Sequence, residues 1–136
     1  QWPLENFKGL AKEILRNTDL KVIIVGGKEE LSKSKEVFAG LGVIDLTGKT
    51  SLLQLRAVLK ICKLLISGDS GPVHLASALG IPVLALFRND LPGKTAKRWG
   101  PWGKGHSVIE KNCLLDIKVD EVFEKTKEMI EKGRAG

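Results

Sequence analysis

No apolar run in the chain of 136 residues approaches the roughly 20 residues that a membrane-spanning helix requires. The chain also lacks a long heptad pattern and a strongly biased composition, which excludes a coiled coil, a collagen-like chain and a disordered segment. Only two cysteines occur, Cys62 and Cys113, and they cannot form a disulfide framework, so a reducing compartment is indicated. With 43% hydrophobic residues the chain can bury one core, which predicts a single domain.

Acidic residues are in the minority: 22 Lys and Arg stand against 16 Asp and Glu, a formal net charge of +6. This surplus suits an anionic ligand, an acidic membrane surface or nucleic acid, and it does not discriminate among them. Methionine is scarce as well, because Met129 is the only one and the chain starts at Gln1. We therefore expect the chain to be a domain of a longer protein, with a functional part upstream.

Apolar residues at helical spacing alternate with short β-branched runs along the chain. This pattern predicts helices over about residues 3–16, 29–39, 51–62, 72–79 and 119–132, and strands over about residues 21–25, 43–46, 64–66, 82–87 and 107–110. The strands are apolar without polar alternation, which is typical of a sheet covered on both faces. Such strands and helices form βαβ units, so the predicted fold is a Rossmann-like, three-layer α/β domain with a parallel sheet over residues 1–136.

Two glycine-containing segments resemble nucleotide-binding loops but lack part of the pattern. Gly48-Lys49-Thr50 looks like the end of a Walker A loop, yet Val43 stands where that loop requires its first glycine. Gly40-Leu41-Gly42 begins like a dinucleotide fingerprint, but Asp45 replaces the third glycine and the segment follows a helix instead of a strand. No HExxH or CxxC pair occurs and the two histidines are far apart, so no protein metal centre and no cofactor are predicted.

The most informative segment covers residues 64–76, which form a predicted strand, a tight glycine-containing turn and the start of a helix. Pro72 suits the first helical turn, and Asp69 or Ser70 can cap it. The backbone N–H groups at such a helix start, together with the helix dipole, form an anion-binding site beyond the carboxyl end of a parallel strand. Gly71 lets a ligand approach the backbone closely because it has no Cβ.

The first turn of this predicted helix also contains a histidine. His74 follows Ser70 by four residues and can therefore point toward the same site, where its imidazole can donate a hydrogen bond to a phosphate oxygen. The alternative is structural: Asp69 and Ser70 only cap the helix, while His74 packs with its neighbours Leu75 and Ala76.

The run Asp69-Ser70-Gly71-Pro72-Val73-His74-Leu75-Ala76, followed by the Leu-Gly-Ile-Pro strand of residues 79–87, resembles the signature of the heptosyltransferases of glycosyltransferase family nine. Other landmarks occur in the order found in that family. They are Trp2-Pro3, the glycine pair and acids of residues 26–30, and the helix of residues 51–59. The resemblance therefore covers nearly the whole chain.

The resemblance implies an architecture and an activity. Members of the family have two Rossmann-like domains that face each other across a cleft, the GT-B fold, and they build the inner core of lipopolysaccharide. Their carboxyl-terminal domain binds the nucleotide-sugar donor, typically ADP-heptose. The chain is thus expected to be the donor-binding, C-terminal half of an inverting, metal-independent glycosyltransferase. The acceptor domain, with the general base, is absent from residues 1–136, so the chain alone is expected to bind donor but to be inactive.

The resemblance also implies roles for particular residues. The pyrophosphate and the adjoining sugar are expected at one stretch of the chain: Asp69, Ser70, Gly71, Pro72 and His74. Glu30, or Glu29 if the alignment shifts by one residue, would accept hydrogen bonds from the ribose hydroxyls, although acids also favour an exposed helix start without any ligand. Thr50 would lie near the adenine. Arg88 replaces a common glycine of the family and is expected either to contact a phosphate or the acceptor or to crowd the site.

A predicted loop over residues 88–106 contains five basic residues, one acid and two tryptophans (Trp99 and Trp102). One hypothesis is that this loop lines the cleft or contacts the anionic lipopolysaccharide core acceptor and the surface of the inner membrane. The alternative is a solvated surface loop whose tryptophans pack on the domain. The expected location is the cytoplasm. Under the first hypothesis the protein also makes a peripheral contact with the inner membrane.

Two other function classes stay open alongside the transferase half. One is a non-catalytic module that binds a nucleotide or a phospho-sugar at the same helix start; an upstream domain with a carboxylate facing the cleft would favour the enzyme instead. The other is nucleic-acid binding through the basic loop. No known RNA- or DNA-binding motif occurs in the chain, so nucleic acid is not a predicted partner.

Three further residues are predicted to have structural roles. Cys62 ends an apolar helix and is expected to be buried, and Cys113 is expected to pack in the same way. His106, at the end of the basic loop, has no evident partner and is predicted to be structural or exposed.

Overall fold

The computed structural model describes residues 2–27, 31–67, 71–88, 106–111 and 113–135. Helices and strands alternate from α1 to β4, as the sequence predicts, and β5 is the next element after β4 among the described residues. The helices are α1 (Leu4–Asn17), α2 (Leu31–Val37), α3 (Leu52–Lys60), α4 (Gly71–Ala78) and α5 (Val119–Ala135), with a short 3₁₀ helix at Leu114–Asp116 that the sequence does not predict. The strands are β1 (Ile23–Ile24), β2 (Ile44–Asp45), β3 (Leu65–Ser67), β4 (Val83–Arg88) and β5 (Ser107–Lys111).

Local sequence signals set several helix ends. Ser51 caps α3 with a capping box, in which its Oγ accepts a hydrogen bond from the Gln54 backbone N–H (3.2 Å) and Gln54 Oε1 accepts one from the Ser51 N–H (2.8 Å). Gly40 and Gly80 follow α2 and α4 with φ of +78° and +77°, the left-handed conformation that glycine adopts without strain. The predicted start of the helix over residues 51–62 is therefore confirmed.

All strand pairs among the described residues are parallel, which confirms the predicted sheet type. β3, β4 and β5 form one sheet in that order, with Leu65 opposite Val83 and Leu84 opposite Ser107. β1 and β2 form a separate pair of only two residues each, so the longer strands predicted over residues 21–25 and 43–46 are wrong in length.

The backbone hydrogen bonds between β1 and β2 nevertheless continue beyond the paired residues. Ile44 N–H donates to the Val22 carbonyl, and two residues further along Leu46 N–H donates to the Ile24 carbonyl. A third bond joins the Gly48 N–H to the Gly26 carbonyl at 2.8 Å. The two chain segments thus run side by side as predicted, and only the regular part of the ladder is short.

Two apolar cores lie on opposite faces of β4. Leu84 and Leu86 point to one face and Val83 and Ala85 to the other, and all four are at most 1% exposed. The larger core lies against α1 and α5 and contains Trp2, Leu10, Ile14, Leu84, Leu86, Ile117, Val122 and Phe123. The smaller core lies against α3 and α4 and contains Leu59, Val73, Ala76, Val83 and Ala85. The predicted three-layer arrangement is therefore confirmed.

Trp2 joins the beginning of α1 to the segment that precedes α5. Its side chain is 1% exposed, and its Nε1 donates a hydrogen bond to the Ile117 carbonyl at 3.0 Å. The ring also contacts Phe7 edge to face, with ring centroids 4.7 Å apart. A buried indole needs such an acceptor, so the Trp-Pro landmark of the sequence has a structural role in the larger core.

The structure corrects the prediction for Cys113 and gives His106 a structural role, one of its two predicted alternatives. Cys113 is exposed, because the chain turns into the 3₁₀ helix directly after it and Leu114 packs against the larger core instead. His106 does have a partner: its Nδ1 accepts a hydrogen bond from the Val83 N–H at 3.0 Å. Cys62 is half-buried and its Sγ donates to the Val58 carbonyl at 3.2 Å; burial raises the pKa of this thiol.

In the part of the chain that the structure describes, no helix is both long enough and apolar enough to cross a membrane.

Candidate functional site

The parallel strands all end at one edge of the domain, here called the carboxyl edge. It comprises Gly26-Gly27 after β1, the turn Leu46–Ser51 after β2, the start of α4 after β3, Arg88 at the end of β4 and Lys111 at the end of β5. Ligands of open α/β sheets bind beyond this edge, since the helices that follow the strands begin there. The predicted site residues in the described part of the chain belong to this edge.

The start of α4 has the form that the sequence predicts. The helix begins at Gly71, and Pro72 is its second residue. Val73 and Ala76 are fully buried in the smaller core, whereas His74 in the first turn is exposed. The side chain of His74 is therefore accessible from outside the domain, and its contact with a phosphate oxygen stays a prediction.

Other predicted residues lie outside the described part of the chain. They are Asp69 and Ser70 before α4, Glu29 and Glu30 before α2, and the basic loop with its two tryptophans, of which residues 89–105 are not described. Their predicted roles stay predictions.

Arg88 and Lys111 occupy matching positions at the carboxyl edge. Arg88 is the last residue of β4, and its Cα is paired in register with that of Lys111, the last residue of β5. Lys111 Nζ lies 3.8 Å from Glu121 Oε2 near the beginning of α5. The register thus brings two basic residues together at this edge, and the contact of Arg88 with a phosphate or an acceptor stays a prediction.

Thr50 belongs to a tight turn that is attached to the end of β1. The turn bends at Gly48 (φ +70°), which donates to the Gly26 carbonyl, and Lys49 N–H donates to the Leu46 carbonyl at 2.9 Å. Thr50 is half-buried and directly precedes the cap residue of α3. The structure therefore brings the Thr50 turn next to the glycine pair that leads toward the predicted ribose-binding acid.

A polar cluster beneath this turn is not predicted from the sequence; its Ser34 and Thr47 are buried and its Asp45 is half-buried. Ser34 of α2 donates from Oγ to Asp45 Oδ2 at 2.9 Å, and its Oγ lies 3.0 Å from Thr47 Oγ1. The Thr47 backbone N–H donates to Asp45 Oδ1 at 3.0 Å. An aspartate two residues before a threonine at a strand end is a local turn signal that the sequence carries, but nothing in the sequence points to Ser34 as the third member.

Asp45 has its pKa lowered below the usual value of 3.8. Burial acts in the opposite direction, but it is outweighed by hydrogen bonds from the Thr47 hydroxyl and backbone and from Ser34, and by the positive charge of Lys49. The carboxylate is therefore ionised at neutral pH, and both of its oxygens accept hydrogen bonds.

Two other features of the described residues bear on the location of a site. No group of three or more His, Cys, Asp or Glu side chains in these ranges is arranged to hold a metal ion.

A groove of about 440 Å³ lies between the carboxyl end of α1 and α5, and Arg16, Asp19 and Thr126 are among its lining residues. Because α1 ends where β1 approaches, this groove is at the edge opposite to the carboxyl edge and includes none of the predicted residues.

Comparison with known proteins gives a consistent result. The model of glycosyltransferase family 9 (heptosyltransferase) matches residues 1–127. Lipopolysaccharide heptosyltransferase 2 of Salmonella typhimurium is 30% identical over 70% of this chain and 29% of that protein. The lipopolysaccharide core heptosyltransferase OpsX of Haemophilus influenzae is 32% identical over 94% of this chain and 44% of that protein.

Among solved structures, that of the Escherichia coli ADP-heptose LPS heptosyltransferase II superposes with a TM-score of 0.86. The alignment covers 98% of this chain and 43% of that one at 24% identity, which shows a shared fold. The chain thus spans less than half the length of each of these relatives.

Proposed function

The chain belongs to glycosyltransferase family 9, the heptosyltransferases, and on that premise we propose that it is the donor-binding, C-terminal domain of an enzyme that transfers heptose from ADP-heptose to the inner core of lipopolysaccharide. The start of α4 carries the proposal: Gly71 and Pro72 open a helix at the carboxyl edge, with His74 exposed in its first turn. In this proposal the acceptor domain and the general base belong to a part of the enzyme outside residues 1–136.

The start of α4 is suited to the diphosphate of the donor. The first N–H groups of a helix have no partner within the helix, and the helix dipole adds partial positive charge there. A departing nucleoside diphosphate gains negative charge in the transition state, and fixed donors stabilise that charge without reorganisation. His74 would donate to a phosphate or sugar oxygen, together with the backbone of Asp69, Ser70 and Gly71. No metal ion is part of this proposal.

The nucleoside would extend from α4 toward the ends of β1 and β2. Thr50 would lie near the adenine, and Glu30, which precedes α2 in the sequence, would accept hydrogen bonds from the ribose. Support comes from the hydrogen bond between Gly48 and Gly26, because it brings the two segments that carry these residues side by side. Arg88 would reach the phosphates or the acceptor from the end of β4.

Inversion at the anomeric carbon requires that the acceptor hydroxyl attack from the side opposite to the leaving diphosphate. A base must remove the proton of that hydroxyl, and in this proposal the base lies across the cleft. The chain therefore supplies the leaving-group half of the reaction. We expect the enzyme to work in the cytoplasm, with the basic loop of residues 88–106 in contact with the acceptor or the inner-membrane surface.

Isothermal titration with ADP, in the presence and absence of EDTA, tests the proposal on the protein expressed from its complete reading frame. Saturable binding that survives EDTA is expected. His74→Ala and Ser70→Ala should each weaken it by about tenfold, the effect of a hydrogen bond to a charged group. His106→Asn, at the opposite edge, should leave it unchanged.

Two results would contradict the proposal. If ADP binds no better than inorganic phosphate, the nucleotide assignment is wrong. If ADP binds but the protein transfers no heptose to a lipopolysaccharide acceptor, the domain is a non-catalytic nucleotide-binding module.

A further inference from the structure

Helix α2 is attached to the rest of the domain in an unusual way. Within Leu31–Val37 its one buried residue is Ser34, whose side chain is 3% exposed, whereas a helix on a sheet ordinarily buries aliphatic side chains. The buried apolar residue of this segment is Phe38 (4% exposed), which directly follows the helix and donates its N–H to the Ser34 carbonyl at 2.9 Å. Thr47, which Ser34 contacts, is 1% exposed. Buried polar groups are favourable only when they are fully hydrogen-bonded, and they then define one geometry more sharply than apolar packing does.

The hydrogen bonds of this cluster join separate segments of the chain. Asp45 accepts at Oδ1 from the Thr47 backbone, which fixes the turn, and at Oδ2 from Ser34, which fixes α2. The contact between the Ser34 and Thr47 hydroxyls closes a ring of three residues. Side-chain hydrogen bonds therefore fix α2 to the turn, in addition to the burial of Phe38 at the end of the same segment.

Both segments held by this cluster lead to the nucleoside end of the proposed donor site. Thr47 is followed by the bend at Gly48 and then by Thr50, the residue proposed to lie near the adenine. On the other side, α2 begins at Leu31, the residue that follows Glu30 in the sequence. A shift of α2 against the turn would change the distance between the two groups that would hold the adenosine.

We propose that Ser34, Asp45 and Thr47 form a positioning network for the nucleoside end of the donor site. The network does not contact the ligand; it holds α2 and the Thr50 turn at the separation that an adenosine requires. This inference rests on the proposed function, because it assigns the network to that same site. It predicts that the network sets the affinity for the nucleoside part of the donor and leaves the affinity for the diphosphate unchanged.

A buried threonine elsewhere in the domain offers a contrast. Thr126 is 3% exposed, but its hydroxyl donates to the Val122 carbonyl of its own helix at 2.8 Å. That bond joins no separate elements. Loss of the Thr126 hydroxyl should therefore affect stability only, whereas loss of the Thr47 hydroxyl should affect nucleotide binding as well.

The first test replaces Ser34, with binding measured by isothermal titration on the protein from its complete reading frame. Two probes are titrated separately: ADP and inorganic pyrophosphate. Ser34→Ala removes the link from α2 and leaves the Asp45–Thr47 turn intact, so ADP should bind about five- to tenfold more weakly while pyrophosphate binds as to the wild type. Ser32→Ala, on the exposed side of the same helix, is the matched control and should change neither affinity.

A second set of variants keeps the inference testable if Ser34→Ala does not fold. Thr47→Val removes the hydroxyl and keeps the backbone bond to Asp45, so it should weaken ADP binding in the same selective way. Thr47→Ser keeps the hydroxyl and should restore wild-type binding. Thr126→Val removes a buried hydroxyl from α5 and should leave ADP binding unchanged.

The outcomes separate this inference from the proposed function. If the wild type binds ADP and both Ser34→Ala and Thr47→Val bind it equally well, the positioning role is wrong and the proposed function stands. The positioning role is also wrong if ADP and pyrophosphate weaken together, since the network would then support the whole fold. If the wild type does not bind ADP, the proposed function fails and this inference fails with it.

Discussion

The two halves of the domain are held together by different forces. Around β4, four consecutive side chains of the strand are buried and apolar, with helices on both faces. Around β1 and β2 the strands are short and incompletely buried, and the side-chain hydrogen bonds of Ser34, Asp45 and Thr47 add to the backbone hydrogen bonds between the two segments. The half of the domain around β4, here called the β4 half, contains α4, the helix proposed to bind the diphosphate. The half around β1 and β2, here called the β1–β2 half, contains the segments proposed to bind the nucleoside.

This difference suggests a division between stability and geometry. Apolar burial contributes the larger share of folding free energy but is non-directional, so it holds a helix firmly without fixing its exact distance to a neighbour. Hydrogen-bonded networks contribute less net free energy and constrain distance and angle. We therefore expect substitutions in the β4 half to act mainly on stability, and those in the β1–β2 half to act mainly on ligand selectivity.

The largest expected effect is on stability. Leu84 is 0% exposed in the larger core. Leu84→Ala removes most of this side chain and leaves a cavity, so the free energy of unfolding should fall by about 2–5 kcal/mol. Urea denaturation measures this change. Leu115→Ala, at a position that is 63% exposed, is the control and should cost little. If Leu84→Ala costs less than its exposed control, the β4 half is not the stabilising half.

An intermediate effect is expected in acid. Because the pKa of Asp45 is lowered from 3.8 in the folded protein, its contribution to stability is complete above about pH 4 and is lost as the pH falls through the folded value. Asp45→Asn keeps the shape and removes the titration, so the acid decline of its unfolding free energy should be shallower than that of the wild type. Urea denaturation of the wild type and of Asp45→Asn, at a series of pH values from 6 downward, measures the two acid declines. Asp116→Asn, at an exposed aspartate, is the control. Equal slopes for wild type and Asp45→Asn would contradict the assignment.

The smallest expected effect concerns His106. Burial lowers the pKa of this imidazole below 6.5, and its Nδ1 must stay unprotonated to accept the Val83 N–H. The wild type should therefore be most stable above about pH 6.5 and lose a little stability as the pH falls toward the lower, folded pKa. His106→Asn retains an acceptor without titrating, so thermal melts of this variant should be flatter between pH 7 and pH 5. A variant as pH-dependent as the wild type would refute this role.

Local signals in the sequence predict much of the fold. The capping box at Ser51 and the left-handed glycines after α2 and α4 depend on residues within a few positions of each other, which is why these helix ends are predictable. The alternation of Leu84 and Leu86 with Val83 and Ala85 likewise follows from the strand period, once both faces are known to be covered.

Contacts between distant segments are not predictable in this way. The hydrogen bond from Ser34 to Asp45 spans a helix and a strand, and no spacing rule pairs a helical serine with that carboxylate. The partner of His106 lies 23 residues away on a neighbouring strand. Cys113 looks like a packing residue in the sequence, but the 3₁₀ helix that follows turns the chain so that Leu114 packs and Cys113 is exposed.

The hydrogen bond between Trp2 and Ile117 also bears on the order in which the domain folds. It joins residues 115 positions apart, and the larger core needs side chains from both α1 and α5. Among the described residues, the smaller core draws on the stretch from Leu55 to Ala85. During synthesis the smaller core can therefore form first, while the larger core stays incomplete until α5 has left the ribosome.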